Sequence, residues 1–235
     1  MIFAKPFIEL QYTFAEILVQ NFGLEILDTL FNYTNLYLLL TSHIPISKEN
    51  KIWMNFAEEY KNNSDYIYHK YIKAKNDPTI ELKKDRVRFG CFSYHLEQDN
   101  KTAKIHFSNN DNSGFGPLSK ERIIIRKKEI SDMLDNKKES PAGIQYIRGK
   151  SWLYSLESYK RLFPKSFIKS LVEYEGEEWQ YMTRWGQFLD SEGNVKTELA
   201  KTFLECAKQK KNINNILRCF PFKVYTGCIK IKNFY

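Results

Sequence analysis

The sequence predicts an α/β fold: a mixed β-sheet flanked by helices, with an extended helical N-terminal portion. Three observations carry this. Apolar residues recur at helical spacing through the first 78 residues, the period changes toward two after Asp77-Pro78, and from Thr102 to Tyr159 the chain reads strand, glycine loop, helix, strand, helix. At 235 residues the chain is read as one domain, with residues 1–78 mainly helical and residues 86–225 forming the mixed-sheet core.

The helical portion begins with Phe14, Ile17, Leu18 and then Leu27, Leu30 and Phe31 on core-facing stripes, broken at Asn21-Phe22-Gly23. Ser47 is a suitable cap for a further helix to about Tyr60. Another follows from Ser64 to Ala74, carrying Tyr66, Tyr68 and Tyr71, which at helical spacing read as core. His43 and His69 are lone histidines with no partner at ligand spacing, and no metal site is predicted.

After Asp77-Pro78 the residues from Arg86 to Leu96 alternate, then switch phase, predicting one strand with a bulge near Gly90 or Cys91. Gln98 to Lys101 is a turn, and Thr102 to Asn109 the return strand. Ser119 caps a helix whose apolar face is Ile123, Ile124, Ile130, Met133 and Leu134 and whose solvent face is basic. Ile144 to Gly149 is a buried strand parallel to its predecessor, followed by a helix that places Leu156, Tyr159 and Phe163 on one face. Phe167 to Tyr174 predicts another strand, Val195 to Gln209 a helix, and Cys219 to Tyr225 a last strand at a sheet edge because of Pro221.

Composition narrows the setting. Hydrophobic residues make up 43% and charged residues 27%, ordinary globular values. The longest apolar run, Leu36 to Leu40, is too short for a bilayer, so no membrane span is expected. The first residues lack the pattern of a secretory leader, and Cys91, Cys206, Cys219 and Cys228 show no C-x-x-C spacing; the expectation is reduced thiols in a cytoplasmic protein. Lysine and arginine number 36 against 28 acids, a net charge of +8 that favours anionic partners.

The stretch that carries chemistry is Asp111-Asn112-Ser113-Gly114-Phe115-Gly116-Pro117 with Ser119, Lys120 and Arg122 behind it. A loop that leaves a strand, turns through two glycines and opens a helix directs free amides and a positive dipole end at one point, which suits phosphate. A plain structural turn fits the same residues. His106, on the strand into this loop, is a candidate general base, and His95 on the partner strand is within its reach across the hairpin.

This order of elements over residues 86–175 resembles the core of the GCN5-related N-acetyltransferase (GNAT) superfamily. There a strand leads into a Gln/Arg-x-x-Gly-x-Gly/Ala loop that holds the pyrophosphate of acyl-coenzyme A; here the corresponding residues are Asp111 to Gly116, with Asp111 departing from the pattern. Glu157-Ser158-Tyr159-Lys160-Arg161-Leu162-Phe163 is similar to the family's Phe-Tyr-x-x-x-Gly-Phe run. The resemblance implies acetyl-CoA or another acyl-CoA as cofactor, held by Asn112, Ser113, Gly114, Phe115, Gly116, Ser119, Lys120 and Arg122. It also implies Tyr159 as acid toward the leaving thiolate, with a small-molecule or protein amine as acceptor. Segments 113–119, 150–154 and 185–190 also resemble an uncharacterised bacterial family, which implies no activity. Two alternatives stand beside the acyltransferase: a non-catalytic binding or effector-type protein that keeps a GNAT-like fold, and, less favoured, a basic nucleic-acid-associated module using Lys120 to Lys128 and the tyrosine-rich helix.

Overall fold

A computed structural model of the protein describes residues 2–41, 44–77, 87–135 and 143–234. The first helix, α1 (Lys5–Phe22), has Pro6 in its opening turn, where a missing N–H costs nothing. It stops at Gly23, whose φ of +67° lets its amide reach the Val19 carbonyl. Helices α2 (Ile26–Tyr33), α3 (Leu36–Leu40), α4 (Lys51–Glu58) and α5 (Ser64–Lys75) follow. Asn50 caps α4 through a 2.9 Å bond to the Ile52 amide, in place of the expected Ser47. Tyr71 is buried and accepts the Phe3 amide, so its place on α5 is structural, while Tyr66 and Tyr68 are half-buried and His69 is exposed. His43 lies outside the described residues.

The chain forms two compact units, residues 1–82 with 176–221 and residues 83–175 with 222–235. The helical unit thus takes in 176–221, a segment the sequence grouped with the sheet. That segment contributes short turns at Met182–Trp185 and Gly186–Phe188 and a helix at Thr197–Lys208. Their rings close an aromatic core in which Phe14 meets Trp185 at 5.4 Å and Phe203 at 5.1 Å. The cysteine expectation is overturned here: Cys206 and Cys219 form a disulfide, Cα atoms 5.7 Å apart, because the turn at Ile213–Cys219 folds back on the preceding helix. Cys91 and Cys228 are free thiols, and the premise for a reducing compartment falls. No helix among the described residues is long and apolar enough to cross a membrane.

The second unit is the mixed sheet. Strands β1 (Val87–Phe89), β2 (Phe92–Leu96), β3 (Thr102–Phe107), β4 (Tyr146–Ser151), β5 (Val172–Glu173) and β6 (Tyr225–Lys230) stand in the order β1-β2-β3-β4-β6-β5. Only β3 and β4 run parallel among these pairs, joined through helix α6 (Ile123–Asp135). The predicted bulged strand is instead a hairpin: Phe89 faces Phe92 across a two-residue turn, and Gly90 has the positive φ, +58°, that a first turn position of this kind needs. Phe167 lies on a helix, not a strand: α7 (Glu157–Lys160) and α8 (Lys165–Lys169) flank Pro164, which caps α8. The predicted edge strand at 219–225 is also displaced. Residues Ile213–Cys219 are a tight helical turn, Pro221 precedes the strand, and β6 lies inside the sheet between β4 and β5.

Register divides the sheet into two unlike faces. Phe92, Tyr94, Ala103, Ile105, Ile147 and Ile229 share one face and pack with α6, α7 and α8 through Ile130, Met133, Leu134, Tyr159 and Phe167. On α6, Ile124 does not join this core as expected. It is 83% exposed, whereas Arg126, read as part of the basic outer face, is 2% exposed. A helix period fixes which residues share a side, but Asp111 beneath α6 and Glu129 further along the same helix hold Arg126 inward.

Candidate functional site

Asp111, whose side chain is 1% exposed, anchors the glycine loop. It accepts Arg122 Nε at 2.6 Å, Arg126 Nη2 at 3.0 Å and the Ser113 amide at 2.9 Å. The Ser113 hydroxyl, then Arg122 and the Ser113 amide, hold its carboxyl down to about 2 against the opposing effect of burial. Arg126 turns also to Glu129 at 2.9 Å, and Glu129 accepts the Cys91 amide at 3.1 Å. Burial pushes the Glu129 carboxyl up, opposed by that amide and by Arg126. Gly90 is glycine here for a second reason, since a Cβ would lie 2.0 Å from Glu129 Oε1. A run of charges thus ties the β1–β2 turn to the loop: Glu129, Arg126, Asp111, Arg122.

Asp111 points inward and its charge is spent on two arginines. The outer loop, Asn112 to Gly116, is exposed, Gly114 at φ +80° has nothing within 4 Å of its missing Cβ, and Gly116 is equally open. Among the described residues, none accepts a hydrogen bond from the amides of Asn112, Gly114, Gly116 or Leu118. Lys120 is exposed beside them, and Phe115 presents its ring to solvent. Ser119 has the extended backbone of a cap but makes no capping bond, and a turn of 3-10 helix, Lys120–Arg122, precedes α6. Of the predicted loop residues, Arg122 and Ser113 are already committed, both through Asp111.

Where β3 meets the loop, the parallel pair parts. Pairing runs from Thr102 opposite Tyr146 to Ile105 opposite Gly149 and stops, although β3 stays on β2 to Phe107 and β4 stays on β6 to Ser151. His106 stands at this gap on the polar face, with His95 Nδ1 2.8 Å from its Nε2 and the two rings stacked at 4.9 Å. Tyr159 stands on the apolar face, 2% exposed, its ring 5.5 Å from Phe107 and 5.0 Å from Tyr154. Burial raises its pKa, and the Tyr154 hydroxyl acts in the opposite sense. Tyr154 presses on the last paired residue of β4, for a Cβ on Gly149 would meet its hydroxyl oxygen at 2.1 Å. The two predicted catalytic residues therefore flank one gap from opposite faces of the sheet.

Sequence reasoning missed Arg126, Glu129 and Tyr154. The spacing of Arg122, Arg126 and Glu129 in the chain was visible, but not the burial that gives it meaning. A groove of about 290 Å³ lies at the other end of β4, lined by Ile144, Gln145, Tyr146, Lys230, Ile231 and Lys232. No family model, curated protein or solved structure matches this chain.

Proposed function

We propose that the sheet unit is a GNAT-like module that binds acyl-coenzyme A at Asn112 to Lys120 and passes the acyl group to an amine. The observation that supports this best is the parting of β3 and β4 at the strand end from which the glycine loop departs. A parted parallel pair offers unpaired backbone groups to an extended pantetheine arm, and the loop amides supply the pyrophosphate site. In the transfer the amine nitrogen attacks the thioester carbonyl, the carbon–sulfur bond breaks, a base takes the amine proton, and an acid protonates the thiolate. His106 is the base in this reading. Tyr159 is the acid in this reading, its ring 5.5 Å from Phe107 at the end of β3.

The test begins with melting temperature, with and without acetyl-coenzyme A, coenzyme A and ATP. Ligand at 100 times its dissociation constant stabilises by about 2.7 kcal/mol. A shift with both coenzyme A species, weaker with ATP, is expected, together with loss of the shift in Gly116→Asp. Release of thiol with an amine panel then separates transfer from binding. Tyr159→Phe should slow release while leaving the shift intact. Binding without thiol release would identify the non-catalytic alternative, and no shift at millimolar ligand would reduce the loop to a structural turn.

A further inference from the structure

The polar face of the sheet contributes no side chain to the hydrophobic core, although Ser93 and Thr102 on it are buried, and it differs from the covered face in charge as well as polarity. Register places Arg88, Lys104, Arg148, Lys150 and Lys230 on it, together with His95 and His106. Arg148 is 45% exposed, Arg88 and Lys230 are exposed, and Lys104 and Lys150 are half-buried. Glu97, at the end of β2, brings a carboxylate to Arg148 at 2.8 Å, and Lys150 lies 4.4 Å from the Tyr174 ring. Strands spaced by about 4.8 Å spread these cations over roughly 19 Å from β1 to β6, too wide for a single small anion. At the lower end Tyr146 and Lys230 line the 290 Å³ groove, with Lys232 beside them.

We infer that this face binds a single-stranded nucleic acid, whose phosphates follow the cations from Arg88 to Lys230 while a base enters the groove at Tyr146. The inference goes beyond the coenzyme A reading and uses none of the glycine loop. Charge complementarity selects a polyanion, and an aromatic ring at the end of a row of cations selects one that carries bases. Acidic polypeptide would match the charge alone.

The experiment is fluorescence anisotropy of a labelled 20-nucleotide single strand titrated with the full chain from 50 to 200 mM salt. Four phosphate contacts give a slope of log affinity on log salt near −2.8, a loss of about 50-fold across that range. The triple variant Lys104→Gln, Arg148→Gln, Lys230→Gln should bind at least tenfold more weakly at 50 mM and show a flatter slope. Lys127→Gln with Lys128→Gln, on α6, should bind as the parent does. Three results would each overturn the inference: no binding by the parent at 50 mM salt, equal loss in the α6 variant, or competition by polyglutamate as strong as by unlabelled strand.

Discussion

Replacing Arg126 by Met tests whether the buried charge run holds the glycine loop. Arg126 lies 3.0 Å from Asp111 and 2.9 Å from Glu129, and its removal leaves two carboxylates facing each other with only Arg122 to offset them. At an effective dielectric of about 20, unit charges 3.0 Å apart attract by roughly 5.5 kcal/mol. Desolvation of the guanidinium cancels much of this, and breaking a buried pair from one side costs about 3–5 kcal/mol in general. The expected loss for Arg126→Met is about 3 kcal/mol. Asp111→Asn should cost less, about 2 kcal/mol, because Arg126 keeps Glu129. The double variant measures the coupling, expected at about 1.5 kcal/mol or more. Urea unfolding supplies the energies, and hydrogen exchange of the peptide covering 108–122 reports whether the loop itself loosens. A loss below about 1 kcal/mol for Arg126→Met, or additive singles with unchanged exchange in the loop, would refute the reasoning.

Other expected outcomes follow from single contacts. Gly149→Ala forces a methyl onto the Tyr154 hydroxyl and should cost about 2 kcal/mol in urea, with partial recovery when Tyr154→Phe removes that oxygen. Since the Asp111 carboxyl is held down to about 2 in the folded chain, its stabilising contribution is present above the ordinary value of 3.8 and is lost as pH falls through about 2. The stability difference between the parent and Asp111→Asn should therefore shrink between pH 4 and pH 2. The Tyr154 and Tyr159 hydroxyls have raised pKa values, so their contribution is intact below pH 10 and is lost only at higher pH. Absorbance titration of the folded protein should show them ionising after the exposed tyrosines, and Tyr159→Phe should remove one late-titrating group. Reducing the Cys206–Cys219 bond, or Cys206→Ser, should lower stability by about 3 kcal/mol, since the bond closes a loop with a separation of 13 residues. Intact mass before and after thiol alkylation checks that the bond exists.

Much of the fold was legible because its signals are local. Gly23 ends α1, the Asp99 turn joins β2 to β3, and the glycine loop lies between a strand and a helix, each fixed by residues adjacent in the chain. The misreadings came from segments whose state is decided from a distance. Phe167 sits in an apolar run equally suited to strand or helix, and it is helical because Pro164 supplies the first turn and the ring drops into the Tyr154–Phe163 cluster. Cys206 and Cys219 carry no spacing signature; only the turn that brings the chain back joins them. In the site, the loop and the nearness of His95 to His106 were readable from pattern. The inward turn of Asp111 was not, because it depends on Arg126 being buried, and no periodicity marks an arginine as a core residue.

The order in which residues leave the ribosome gives the interleaved units a kinetic consequence. The helical unit needs residues 176–221 to complete its aromatic core, and the sheet needs 222–235 because β6 is an interior strand. Neither half can close when its first stretch emerges. The β3–α6–β4 crossover can form early, but β4 shows an unpaired edge until Tyr225 to Lys230 arrives to fill the place between it and β5. Pairings of such long sequence separation are slow to form, and an open edge during that wait invites other strands. A nascent chain halted before residue 225 should thus be the species that chaperones hold, and a single late hexapeptide decides when the sheet is sealed.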